Sequence, residues 1–254
     1  MDEWASAMTM VKETTTKQNL RSMEIYYLPV LNIQLGITQA YITQLRINDP
    51  KMGVIIDEAF MPVAERTVVT EKITAWLLDN LFNDIQRFRA RGVQADWFGV
   101  YIPTRVLLKK DFLTELCKKV VEYNIRNSDI CICLNNKVLY EDHVEIKSIL
   151  SQAKIEGIKS LILDFGDDFC PVSRISDIKT DYVHLSESVT YSLNSKDEVK
   201  RNTALGLYHL LKSLDIETIT SNVKDNEASG NIPESCILCT GKLAGNYRRP
   251  RSVR

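Results

Sequence analysis

Strand-like and helix-like periods alternate along this chain, and the alternation predicts an α/β fold closed into a barrel as a single domain. Three observations carry that prediction. Short runs rich in β-branched and aromatic residues are separated by segments whose apolar residues fall three and four apart. The strand–helix unit recurs often enough to favour a closed barrel of parallel strands over an open sheet. The 254 residues, 44% of them hydrophobic, supply the length and apolar surface that one such barrel requires.

Residues 1–22 are rich in Thr, Lys, Met and Glu without an amphipathic period, and read as an N-terminal extension. The domain proper spans 23–247. It opens on the β-rich run Ile25-Tyr26-Tyr27-Leu28-Pro29-Val30, and a second strand over 39–46 makes a hairpin entrance. From Glu71 to Arg89 the period changes. Ile73, Trp76, Leu77, Leu81, Ile85 and Phe88 form one face of a helix that Gly92 stops. Strands are then expected over 97–102, 129–134, 161–164, 182–185 and 218–220, with helices over 112–121, 144–153 and 199–214. Cys236-Ile237-Leu238-Cys239-Thr240-Gly241 closes the sheet. Residues 225–231 read as a surface loop, and 248–254 as a flexible basic C-terminal tail.

Composition excludes several function classes. A net charge of -1 and a pI near 6.3 give no global attraction to nucleic acid. The basic stretch Arg87-Phe88-Arg89-Ala90-Arg91 reads as a solvated helix end. No run approaches the roughly 18 apolar residues of a membrane span. The start, Met1-Asp2-Glu3-Trp4, lacks the basic and apolar regions of a secretory signal, so the chain is read as cytoplasmic. Its six cysteines are then expected as thiols. Cys131 and Cys133, with Cys236 and Cys239, have a superficial likeness to a zinc site. The first pair lies at strand spacing, however, and buried thiols are the simpler reading.

Barrel chemistry gathers at the C-terminal ends of strands, which draws attention to Leu161-Ile162-Leu163-Asp164-Phe165-Gly166-Asp167-Asp168. An apolar strand breaks there into an acidic turn and delivers Asp164. Metal-assisted chemistry on a phosphodiester needs several more carboxylates at neighbouring strand ends.

Ala59-Phe60-Met61-Pro62-Val63-Ala64-Glu65-Arg66, followed by Ala75-Trp76-Leu77-Leu78, resembles the EAL family of cyclic di-GMP phosphodiesterases, whose members carry EFIPLAEE and then WVL. Further phrases agree in order. Pro29-Val30-Leu31-Asn32-Ile33 resembles the opening strand, Tyr101-Ile102-Pro103-Thr104-Arg105 the NLSAR element, and Leu163-Asp164-Phe165-Gly166 the DDFG element. The resemblance runs from Ile25 to Pro250 and implies a TIM-barrel-like EAL fold. In the family, two divalent cations held by carboxylates and an amide activate the attacking water.

Those ligand positions are replaced here, as the resemblance aligns them. In register with Arg46, the signature triplet reads Ile42-Thr43-Gln44; the asparagine becomes Tyr101, and the E-x-T-E glutamates fall on Cys133 and Asn136. The first aspartate of DDFG becomes Leu163, the K-I-D phrase falls on His184 and Ser186, and A-E-G-V-E reads Thr220-Ser221-Asn222-Val223-Lys224. The resemblance therefore implies no catalytic residue, no metal ligand set and no cofactor. Cys133, His184 and Asp164 offer an alternative metal cluster, set against a buried thiol and a hydrogen-bonded histidine. Arg46, Arg105 and Asp164 are candidate remnants of a nucleotide site, while the charges of Asp167 and Asp168 weigh against a dianionic ligand. Stand-alone degenerate EAL proteins of enteric bacteria include regulators that bind the flagellar master activator FlhDC through FlhD and repress motility. The resemblance to them implies a non-enzymatic regulator with FlhD as partner; a catalytically inactive cyclic di-GMP receptor is the alternative.

Overall fold

β1 (Met23–Asn32) and β2 (Ile37–Asp49) form the expected antiparallel hairpin, registering Ile25 with Leu45 and Tyr27 with Thr43. Its turn is set by Asn32, whose side-chain oxygen accepts from the amides of Gln34 (3.1 Å) and Leu35 (3.0 Å). In this computed structural model the described residues are 22–50, 52–140, 143–167 and 170–254. The extension read over 1–22 thus falls, but for its last residue, outside the described residues.

After the hairpin come β3 (Gly53–Ile56), β4 (Trp97–Tyr101), β5 (Ile130–Asn135), β6 (Lys159–Phe165), β7 (Tyr182–Leu185), β8 (Glu217–Thr220) and β9 (Leu238–Cys239). β2 and β4 to β9 run parallel, neighbour to neighbour. β1 pairs antiparallel with both β2 and β9, and so closes an eight-stranded barrel. β3 pairs with the far end of β2 and stands outside the closure. The predicted closed α/β barrel is the fold found.

The barrel interior is a small apolar cluster that includes Val30, Ile42, Trp97, Cys133, Leu161 and Ile219. Trp97 is fully buried, with its ring 5.1 Å from that of Tyr182. Its bulk sets the size of a neighbour: a Cβ on Gly99 would stand 2.7 Å from Cys133 Sγ and 3.3 Å from the Trp97 ring.

A larger apolar layer lies between the barrel and its helices. α1 (Asp57–Ala64) precedes α2 (Val69–Ala90), whose inward face is the predicted one, with Ile73, Leu77, Leu81, Ile85 and Phe88 buried. Asp84 accepts from Tyr27 Oη at 2.8 Å and pins α2 to β1 beneath the solvent. Burial raises the pKa of both groups. The basic end of α2 is paired rather than merely solvated. Arg87 meets Asp84 at 3.2 Å, Arg89 forms an ion pair with Asp129, and Arg91 donates to the carbonyls of Pro250 and Arg251. α3 (Thr104–Leu107), α4 (Phe112–Glu122), α5 (His143–Ile155), α6 (Glu187–Leu193) and α7 (Glu198–Ser213) complete the ring. Asp197 caps α7 by accepting from Val199 N at 2.9 Å.

Two sequence expectations need correction. Residues 226–229 form a helical turn, α8 (Asn226–Ser229), capped by the Asp225 side chain, rather than an irregular loop. The basic segment 248–254 is seated on the barrel. Arg248 pairs with Tyr27 through both backbone bonds, Val253 is buried, and Tyr41 Oη donates to the Arg254 carbonyl at 2.6 Å. Backbone pairing and one buried valine anchor a segment whose side chains read as a solvated tail.

Candidate functional site

The C-terminal ends of the parallel strands surround a cavity of about 310 Å³, the place where barrel folds carry their chemistry. β2 sends Ile42, Thr43 and Gln44 to its wall, β4 ends in Tyr101, β6 supplies Leu163 and Asp164, and β7 supplies His184. α1 and the residue after it add Asp57, Glu58, Met61 and Glu65, and Tyr247 covers one side.

Asp164 owes its position to a backbone irregularity. β6 bulges between Ile162 and Phe165 in its pairing with β7, and Asp164 takes a φ of 54°, a left-handed conformation that Asp tolerates better than most residues. Its carbonyl accepts from Asn136 Nδ2 at 2.7 Å, which pins the bulge to the end of β5. The side chain is 55% exposed yet recessed in the mouth. Partial desolvation, with Glu58, Asp167 and Glu187 nearby, lifts its pKa to about 6.

His184 stands opposite. Its Nε2 lies 2.9 Å from Thr240 Oγ1, whereas its Nδ1 is sealed from solvent with no hydrogen bond, 4.0 Å from Asp164 Oδ1. Burial drives its pKa down to about 4, so the ring is neutral at pH 7.

The acidic wall is held by neutral donors. Leu45 N donates to Asp57 at 3.1 Å, Gln44 Nε2 to Glu58 at 3.2 Å, and Tyr101 Oη to Glu65. Asp57 is raised well above the ordinary carboxylate range by burial and by its contact with Glu58. Asp57, Glu58, Glu65, Lys137 and Tyr247 were not singled out from sequence as site residues. The one available signal was the Asp57-Glu58 pair opening a segment that runs into Phe60-Met61-Pro62.

Of the three candidate nucleotide-site residues, Asp164 lines the cavity. Arg46 stands behind the wall: its Nε donates to Gln44 Oε1 at 2.9 Å, and its guanidinium lies 3.9 Å from the Tyr26 ring centre and 5.1 Å from that of Tyr247. Arg105 is exposed on α3, away from the lining residues, although its neighbour Thr104 reaches them. The alternative cluster of Cys133, His184 and Asp164 does not assemble. Cys133 is buried in the barrel interior, its Sγ 3.7 Å from the Cys131 carbonyl. Among the described residues no three His, Cys, Asp or Glu side chains come together in a metal-binding group, and that holds for the four-cysteine zinc reading too. Burial raises the thiol pKa of Cys131, Cys236 and Cys239, the last to about 11. Lys224 is exposed and absent from the cavity wall. No helix among the described residues is long and apolar enough to cross a membrane.

Comparison with known proteins places this geometry. An uncharacterized protein of Mycobacterium bovis is 20% identical over 234 residues, covering 90% of this chain and 36% of its own length. A cyclic di-GMP phosphodiesterase of Pseudomonas aeruginosa is 22% identical over 169 residues, covering 66% of this chain and 29% of its own. The chain thus spans about a third of the curated relatives it matches. The solved PaMucR phosphodiesterase, in complex with c-di-GMP, superposes with a TM-score of 0.85 at 16% identity, over 97% of this chain and 99% of that one. The EAL domain model matches residues 12–229, beginning inside the segment read as an extension, and by that match the chain belongs to the EAL domain family.

Proposed function

We propose that this EAL domain is a non-hydrolytic regulator that acts by binding another protein, with the flagellar activator FlhDC, through FlhD, as the partner whose action it represses. One observation supports the reading above the rest: the strand ends that would carry the ligands of a two-cation reaction offer unsuitable donors. Ile42 and Leu163 have none, Cys133 is inside the apolar core, and the Tyr101 phenol is spent on Glu65. Asp164 remains, and the other carboxylates at the cavity come from 57–65 rather than from the strand ends. A pair of divalent cations does not fit this set. Calorimetry of the purified chain with FlhD tests the partner. Micromolar association is expected, and its absence removes FlhD from the proposal. Release of linear dinucleotide from cyclic di-GMP with magnesium or manganese would overturn the non-hydrolytic reading itself.

A cyclic di-GMP receptor is the second reading, carried by Arg46, which stands behind the cavity wall against Gln44. Saturable nucleotide binding lost in Arg46→Ala would favour it. The aromatic and amide contacts that hold the Arg46 guanidinium, and the acidic wall beside it, weigh against it.

A further inference from the structure

The cavity at the barrel mouth is unusually one-sided in its hydrogen-bonding chemistry. Glu58, Glu65 and Asp164 face it with acceptors, and no Lys or Arg among the described residues makes an ion pair with any of them. A separate observation points the same way. His184 is 12% exposed and lines the same cavity, and its Nδ1 is buried without a hydrogen bond on the side facing Asp164. In the tautomer that gives its Nε2 proton to Thr240, the neutral ring keeps Nδ1 as a lone-pair acceptor with nothing to receive. An unpaired buried acceptor carries a desolvation cost that a donor entering the cavity removes. Among the described lining residues Lys137 is the one cationic side chain, and it is exposed.

The remaining wall is apolar or aromatic: Leu28, Ile42, Met61 and Leu163 with the rings of Tyr101 and Tyr247. A volume of about 310 Å³ far exceeds a bare metal ion and suits a small organic ligand. Apolar walls suit an aliphatic stem, aromatic rings suit a cation, and convergent acceptors suit a group made only of donors. A guanidinium has five N–H donors and no acceptor.

We propose that the mouth cavity is a binding site for an organic cation, a guanidinium or alkylammonium on an aliphatic stem, held by Glu58, Glu65, Asp164 and His184 Nδ1. The site goes beyond the regulatory reading and does not depend on FlhD being the partner. The cation comes either from a free small molecule or from a basic side chain of a bound protein.

The test is calorimetry on the full chain with n-butylguanidinium and its neutral isostere n-butylurea. Saturable binding of the cation, without binding of the urea, is expected. Glu58→Gln and Asp164→Asn should each weaken it roughly tenfold, the scale of one charge-assisted contact, with thermal melts confirming that both variants are folded. A peptide bearing one arginine separates the sources. Tighter binding than butylguanidinium assigns the site to a partner side chain, and weaker binding assigns it to a free cation. No saturable heat with butylguanidinium at about 10 mM, equal binding of the urea, or unchanged affinity in both folded variants would overturn the proposal.

Discussion

Ile42 and Gln44 lie two residues apart on one strand and point the same way, yet they serve regions built on opposite terms. Ile42 joins Trp97, Cys133 and Leu161 in the barrel interior, where volume decides what fits and Trp97 Nε1 is buried without a hydrogen bond. Gln44 bridges Arg46 to Glu58 at the mouth, where carboxylates gather and Asp164 holds a left-handed backbone. The interior is optimised for stability, whereas the mouth retains charge and backbone strain that stability alone would not select.

That contrast is open to direct attack. Trp97→Ala should cost the most, about 3–5 kcal/mol, because the ring is fully buried at the centre of the interior cluster. Chemical denaturation measures it, and a loss near zero would mean that the interior does not carry the fold. Gly99→Ala should cost less, roughly 1–3 kcal/mol, since the new methyl collides with Cys133 Sγ. Pairing it with Cys133→Ala should recover part of the loss, and strict additivity in that cycle would refute the steric account.

At the mouth the sign reverses. The pKa of Asp164 stands near 6 against an ordinary 3.8, so the folded state binds its proton more tightly than the unfolded chain does. Its ionised form is a penalty at pH 7 that disappears as the pH falls through about 6 towards 3.8. Asn suits the same positive φ, so Asp164→Asn should raise the melting temperature slightly at pH 7.5. The gain should shrink as the pH drops through about 6 towards 3.8. A gain that persisted undiminished at pH 4.5 would mean that the carboxylate's charge is not its source. His184 acts oppositely: its folded pKa, near 4 against 6.5, removes stability as the pH falls from 6.5 towards 4. The Asp164→Asn comparison is therefore made at matched pH against the parent chain.

The interior was the more legible region in the sequence. Apolar runs such as Ile130-Cys131-Ile132-Cys133-Leu134 announce a strand by composition, and the face of α2 announces a helix by period. The mouth was less legible because its acids reach it by other routes. Asp57, Glu58 and Glu65 arrive on and just after a short helix that contains Pro62, next to an edge strand with Val54 and Ile56 exposed, and neither element has a clean period. Tyr247 arrives through backbone pairing of the following residues with β1, which side-chain chemistry does not encode. Asp164 was found because it ends a strand, while its strained backbone and perturbed charge depend on the bulge, on Asp167 in the same turn and on Glu58 and Glu187 from two other segments.

The closure of the barrel by β1 sets the order in which this chain can finish folding. β1 borders β9, joining Leu31 to Cys239, and Tyr27 to Arg248 just beyond. Neither contact exists until nearly the whole described chain has left the ribosome. Until then β1 has its hairpin partner on one side and an open edge on the other, and the loop entropy of the last seam falls due in a single late step. A nascent chain stalled before β9 would expose that edge to any extended peptide nearby, so the seam is where slow folding and misassociation compete.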